Sequence, residues 1–545
     1  MGPHGSGVQP EEFESLLLPT FKFMLDFLFI TSPTNARNPH PPYYFLYLSA
    51  YLREKGLRVK IVDVKGGDRP HELEVHYSTI SQELRCNPSR FVGLAAFHSD
   101  YPAIMRLGGI VKLNQPDTTL LVGNAHSTIS PQDFIFKESN FDVAVLGEGE
   151  ETCYDLWCWY DKPVTKRLDE VAGIAYMSYV LKEPEYVKTK KRRVMDMGDL
   201  PSPSYDLVDM DYYLYPQKLI IRRIYTSMVC IFAGRGCPFD CDFCAANNVW
   251  QANEGKACRL RPVGNVINEI VQLKEFYSID FFYLFDDMFG MSKKWMNGWF
   301  EWKSKTETYS SRKSIVEIPY ATQTRADICS EEMIRGLKAT GCIQLDIGVE
   351  SGSQQLLDQV NKGITLDQIR HVFSWCKKYK LRSFATMLLN LPGETSKDLE
   401  STHQFLKEIK PSAGVIFGVT TPYPGTKIYE DQFKPKLTTD EYHLLIGNRL
   451  NPLERFRLSD HKLDLEVIWD RWNREFKATP MFERMWAAKP YQSQYWQAVL
   501  RSERCSQYVK CWGKDLVKTF LLWWIHKLGM YRLLKRIQYR RRKNE

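Results

Sequence analysis

Among the 545 residues no uninterrupted apolar run approaches the ~18 that span a bilayer, and there is neither an internal repeat nor a low-complexity segment. Cysteine is scarce. Thirteen scattered thiols lie far below the ~8–10% of a small disulfide scaffold and, being odd in number, suit a reducing compartment. No secretory signal is expected, because Phe21–Ile30 carries Lys22 and Asp26 and no small-residue cleavage pattern follows. These absences direct the reading to the cytoplasm. A one-sided charge is also missing from the body: the net +8 is mostly Arg532–Glu545, seven basic residues against one acidic. With no basic face in the body, no nucleic-acid partner is expected.

What is present is α/β alternation on a length that suits about three domains. After a leader (1–20), residues 21–160 place strand candidates at Phe27–Thr31, Val59–Val64, Phe91–Phe97, Leu120–Gly123 and Val143–Gly147, with a helix at Tyr43–Lys55. That rhythm predicts a Rossmann-like, doubly wound parallel sheet. Residues 161–222, with a hairpin near Gly173–Tyr179, read as a connector. Residues 223–430 hold six more strand candidates, Ser227–Ala233, Phe281–Asp286, Ile315–Thr324, Ile343–Glu350, Ser383–Leu389 and Gly414–Thr420, each pair separated by room for one helix. A partial (β/α)6 barrel is expected, with its chemistry at the C-terminal strand ends. Residues 431–545 read as helical.

Directly after the first barrel strand comes Gly234-Arg235-Gly236-Cys237-Pro238-Phe239-Asp240-Cys241-Asp242-Phe243-Cys244. Three thiols on so short a glycine-bearing loop can converge on one iron-sulfur cluster. A structural zinc site normally takes four ligands, and only Cys230 and Cys258 are near enough in sequence to supply another. Cys237, Cys241 and Cys244 resemble the CxxxCxxC signature of the radical S-adenosylmethionine (SAM) superfamily. Five further motifs fit in order at strand ends: Phe285-Asp286-Asp287, Gln323-Thr324-Arg325-Ala326-Asp327, Gly348-Val349-Glu350-Ser351-Gly352, Asn390-Leu391-Pro392-Gly393-Glu394 and Thr421-Pro422-Tyr423-Pro424-Gly425-Thr426. The resemblance implies a 4Fe-4S cluster on the three cysteines, with SAM against Phe243, Glu350 and Ser351. An electron donor of flavodoxin or ferredoxin type is implied with it. Asp287, Arg325 and Tyr423 are candidate catalytic residues.

The first domain resembles the cobalamin-binding domain of one branch of that superfamily, through Gly123-Asn124-Ala125-His126-Ser127-Thr128 and Gly147-Glu148-Gly149-Glu150-Glu151-Thr152. Gly123, His126, Gly147, Glu148 and Gly149 are the implied cobalamin contacts, with a surface turn residue as the alternative reading of His126. Asn124 stands where the family usually has a second glycine. No Asp-x-His-x-x-Gly occurs, so cobalamin without a histidine ligand is expected. The resemblance implies C-methylation of an unactivated carbon through a 5′-deoxyadenosyl radical and methylcobalamin; ring closure, rearrangement or oxidation, as in porphyrin ester cyclases, is the alternative it leaves open. A cobalamin carrier without catalysis would leave the cysteine loop without purpose. Leu516, Phe520, Trp523, Trp524, Lys527 and Tyr531, followed by Arg536 and Arg540–Lys543, read either as an interfacial membrane helix or as a helix packed on the barrel. The first reading favours a hydrophobic, lipid-like small-molecule substrate.

Overall fold

The β1 strand (Leu25–Ile30) is enclosed along Asp26–Ile30, as a strand covered by helices on both sides must be. The computed structural model describes residues 25–33, 40–64, 70–161, 167–180, 183–218, 221, 224–304, 317–445, 454–476 and 492–527. The expected leader (1–20), Tyr531, Arg536 and the basic run Arg540–Lys543 lie outside them. Two compact units emerge, residues 1–37 with 48–190, and residues 38–47 with 191–545.

In the first unit β1 pairs in parallel with β2 (Val59–Val62) and β3 (Ser89–Ala95), and β4 (Thr119–Gly123) and β5 (Val143–Val145) extend the sheet. The order 2-1-3-4-5 is that of a doubly wound sheet. Phe29 stacks where β3 carries Gly93, whose Cβ would stand 2.6 Å from the Phe29 ring, so the glycine is required by packing. The predicted hairpin is present as β6 (Ile174–Ser178) and β7 (Glu185–Lys188), but it is not a free connector. β6 pairs antiparallel with β5 and continues the sheet, covering an edge that β5 would otherwise leave open.

In the second unit six strands run in parallel: β8 (Met228–Ile231), β11 (Phe281–Leu284), β12 (Tyr320–Thr324), β13 (Cys342–Glu350), β14 (Arg382–Leu389) and β15 (Gly414–Val419), in that spatial order. Two-residue strands β9 (Gly234–Arg235) and β10 (Arg259–Leu260) clasp the loop after β8. The intervening helices start where local chemistry dictates. Ser330 caps Glu331–Ala339, and the Thr365/Gln368 and Thr395/Asp398 capping boxes open Leu366–Lys378 and Ser396–Ile409. This is the partial (β/α)6 barrel expected. The C-terminal segment is helical, with Leu465–Glu475, Gln492–Arg501 and Cys505–Lys527. No helix among the described residues is long and apolar enough to cross a membrane.

Candidate cluster and cofactor sites

The cysteine loop leaves β8 through backbone that only glycine fits. Gly236 has φ +85, and a Cβ there would meet the Ala257 carbonyl oxygen at 2.5 Å. Two acidic residues after β11 hold this exit. Asp286 Oδ1 accepts from the Ala233 and Gly234 amides at 2.6 and 3.0 Å, and Asp287 Oδ2 accepts from Gly236 N at 3.2 Å and Trp250 Nε1 at 2.7 Å. Burial pushes the Asp286 carboxyl up to about 7. Asp287, a catalytic candidate, is thus tied to the cluster loop. Farther along, Asn361 donates to the Asp240 carbonyl at 2.8 Å and Lys427 pairs with Asp240 at 2.6 Å.

Cys237, Cys241 and Cys244 are all free thiols. Burial raises the pKa of Cys237 and Cys244, and each also feels the charge of its neighbouring thiols. Among the described residues no three His, Cys, Asp or Glu side chains sit close enough to hold one metal ion. Three thiols within electrostatic reach of one another on one short loop suit the ligand set of one iron-sulfur cluster. The other two nearby cysteines are engaged elsewhere. The Cys230 amide donates to Tyr43 Oη at 2.6 Å and its Sγ lies 3.5 Å from His40 Nδ1, while Cys258 Sγ lies 3.5 Å from Met291 Sδ.

Arg325, at the end of β12, is 6% exposed. Its Nη1 donates to Cys241 Sγ at 3.4 Å, its Nε and Nη2 grip Asp327 at 3.0 and 3.2 Å, and Nη2 also donates to the Lys362 carbonyl. The guanidinium carbon lies 3.6 Å from the centre of the Phe239 ring. Its donors are divided among the cysteine loop, Asp327 and the Lys362 carbonyl.

Phe243 is half-buried against Leu356, Val360 and Leu391. Nearby, Glu350 ends β13 at φ +64 beside a register shift with β14, and its Oε1 pairs with Lys362 Nζ at 2.8 Å. A Cβ at Gly348 would come within 2.8 Å of Glu350 Oε1 and 2.9 Å of Lys362 Nζ, so the glycine keeps a cradle open over a buried ion pair. Lys362 was not foreseen. It lies twelve residues beyond Glu350 across a short helix, and nothing in its local sequence marks it. Ser351, expected to face the cofactor, is enclosed instead. Its Oγ accepts from Ser353 N at 3.1 Å and lies 3.3 Å from Thr402 Oγ1, so it supports the turn. Asn390 and Glu394 are also internal: Asn390 Nδ2 donates to the Thr420 and Phe456 carbonyls, and its Oδ1 accepts from Leu458 and Ser459. Tyr423 is half-buried, its hydroxyl donating to the Leu445 carbonyl at 3.4 Å and its carbonyl accepting from Thr426 Oγ1 at 2.7 Å.

In the first unit the loops after β4 and β5 are joined at the C-terminal edge of the sheet. Gly147 N donates to Thr128 Oγ1 at 3.0 Å, and Ser127 Oγ donates to the Val145 carbonyl at 3.4 Å. Asn124 adopts φ 82, ψ −166, a region that is essentially glycine's. Asn124 thus holds a conformation that a glycine would adopt without strain. A Cβ at Gly123 would meet nothing nearer than Val145 at 4.0 Å, and Gly147 has φ +71. Open backbone of this kind fits a bulky ligand over the strand ends. Glu148 is buried and its carbonyl accepts from Thr152 Oγ1, while Gly149 packs toward Leu48 and Val145. His126 is neither a surface turn residue nor open to a crevice. It is fully enclosed, with Nε2 2.8 Å from Asp133 Oδ2 and its ring 3.9 Å from that of His98.

Comparison with known proteins agrees with both units. Residues 231–406 match the radical SAM superfamily model and residues 34–156 the B12 binding domain model, together more than half of the chain. The chain is 27% identical to an uncharacterised methyltransferase of Pyrococcus horikoshii, over 72% of this chain and 78% of that one. It is 24% identical to the anaerobic magnesium-protoporphyrin IX monomethyl ester cyclase of Rubrivivax gelatinosus, over 72% and 66%. Among solved structures, the radical SAM methyltransferase TsrM of Kitasatospora setae superposes with a TM-score of 0.58 at 13% identity, over 74% and 75% of the two chains. With the cysteine loop at the barrel strand ends and the glycine loops of the first sheet, these matches make the chain a member of the cobalamin-dependent radical SAM enzymes, using a 4Fe-4S cluster, SAM and cobalamin.

Proposed function

We propose that the protein transfers a methyl group to an unactivated carbon of a small, hydrophobic molecule. The observation that carries this reading is the pairing, in one chain, of a braced cysteine loop with a second unit whose strand-end loops suit cobalamin. When bound, the cluster with SAM supplies one-electron, hydrogen-abstracting chemistry and cobalamin supplies the methyl transfer. The chain's own residues hold and shield. Arg325, Asp287, Asn361 and Lys427 fix the cysteine loop. The buried Glu350–Lys362 pair offers a fixed carboxylate and ammonium beside Phe243, suited to the zwitterionic end of SAM and to keeping water out. Cys237, Cys241 and Cys244 hold the cluster in this reading, and Gly123, Gly147 and Gly149 flank cobalamin. A small flavoprotein or iron-sulfur protein supplies electrons, and residues 516–545 contact a lipid surface from which the substrate is taken.

The resemblance to the magnesium-protoporphyrin ester cyclase supports a second reading, ring closure without methyl transfer. Turnover of the reconstituted enzyme with SAM labelled as CD3, on extracted apolar metabolites, separates the two by mass spectrometry. Methylation is expected to give a product carrying the labelled methyl. A product that loses only hydrogen, with 5′-deoxyadenosine formed, would replace methylation by cyclisation.

A further inference from the structure

We infer that Arg325 is a positioning residue that sets the reduction potential of the cluster through its bond to Cys241, and is not an acid or base toward substrate. This rests on the assignment of Cys237, Cys241 and Cys244 as cluster ligands. Three features of its surroundings carry it. The side chain is almost wholly buried, and its two donor-rich edges are already taken: Asp327 accepts from Nε and Nη2, the Lys362 carbonyl accepts from Nη2, and Cys241 Sγ accepts from Nη1. Its face lies on Phe239, a residue of the cysteine loop itself, so ring and guanidinium fix each other's plane. The group is therefore fixed on all sides and has little freedom to turn toward a substrate.

A guanidinium fixed against a ligand sulfur has one electrostatic consequence. Reduction places one more negative charge on the cluster and its thiolates, and a charged hydrogen bond to one sulfur stabilises that state more than the oxidised one. Arg325 thus makes the cluster easier to reduce. Asp327 takes up part of the positive charge, but its carboxylate sits at the edge of the guanidinium and leaves Nη1 for Cys241. The link to Lys362 gives the same residue a second role. The carbonyl that Arg325 holds belongs to the residue whose ammonium pairs with Glu350, so the cluster loop and that pair are braced by one side chain.

The test is a redox titration of the reconstituted full-length protein, followed by electron paramagnetic resonance, with iron and sulfide measured in each sample. Arg325→Gln is expected to retain its iron while the equilibrium constant for reduction falls roughly tenfold, a shift of about 59 mV for one electron. Unchanged potential at full iron content would overturn the inference. If Arg325→Gln does not hold the cluster, Arg325→Lys decides, since it keeps the charge but loses the fork that reaches Cys241. A lowered potential in that variant supports the inference, and a wild-type potential overturns it. Wild-type protein without iron would instead remove the assignment of the three cysteines, an outcome visible before any variant is compared.

Discussion

Lys362 and Glu350 illustrate how much a single buried charge depends on its partner. Their charged ends lie 2.8 Å apart with both side chains at least nine-tenths enclosed. Removing one partner leaves the other charge desolvated and uncompensated, which typically costs ~3–5 kcal/mol, whereas removing both is far milder. Lys362→Met is therefore expected to lower the denaturant midpoint strongly, and Glu350→Gln with Lys362→Met to recover much of the loss. Chemical denaturation of wild type and the two variants measures this, and equal losses in the single and double variants would contradict it. Asn124 shows a different economy at the same scale. Its side chain accepts from Ala125 N at 2.7 Å, a local bond that helps hold an asparagine where glycine is the easy choice.

At the scale of elements, the ends of β3 and β4 bring two histidines face to face. Burial pulls His98 down to about 3 from an ordinary value near 6.5, and the His126 ring beside it adds to the effect. Between those values the unfolded chain binds a proton that the folded protein does not. Stability from this site is thus complete above about pH 6.5 and falls as pH drops toward 3, by about 1.4 kcal/mol per pH unit well inside the window. Urea midpoints from pH 7 to pH 4 are expected to fall less steeply in His98→Phe than in wild type. Identical slopes would show that His98 is not the group responsible. Most elements were legible in advance: strands enclosed on both faces read as short apolar runs, and every strand expected in the two sheets appears within a few residues of its place, β12 starting later than read. His126 was not legible. Its burial depends on His98, Phe134 and Asp133, residues that only the folded sheet gathers around it.

For the molecule as a whole, the C-terminal helix both packs on the barrel and carries exposed apolar side chains. Tyr508 is fully enclosed at the N-terminal ends of β8 and β11, opposite the cysteine loop. It accepts from Ser227 N at 2.6 Å and donates to Asp280 Oδ2 at 3.2 Å, while Ser502 Oγ donates to the same carboxylate at 2.6 Å. Other apolar side chains of the same helix are exposed, Val509 66%, Val517 58% and Phe520 59%. Trp523, Trp524 and Lys527 continue the helix backbone, although their side chains lie outside the described residues. Of the two alternatives read from the sequence, packing on the barrel is present through Tyr508; contact of residues 516–545 with a lipid surface belongs to the proposed function. Truncation before Leu516 is expected to spare iron content and thermal stability but to abolish flotation with vesicles rich in anionic phospholipid. Undiminished flotation would remove the lipid contact.

Composition and spacing alone determined the two α/β units, the six barrel strands and the cysteine loop, because each is encoded within a few tens of residues by burial pattern or by compact ligand spacing. Tertiary structure decided the rest. The union of β6 with β5, the pairing of Glu350 with Lys362, the enclosure of Ser351 and His126 and the seating of Arg325 against Cys241 all join residues whose proximity no local pattern carries. The physical reason is common to them. A hydrogen bond or ion pair acts over a few ångströms, and which groups come that close is settled only when the sheets bring their strand ends together.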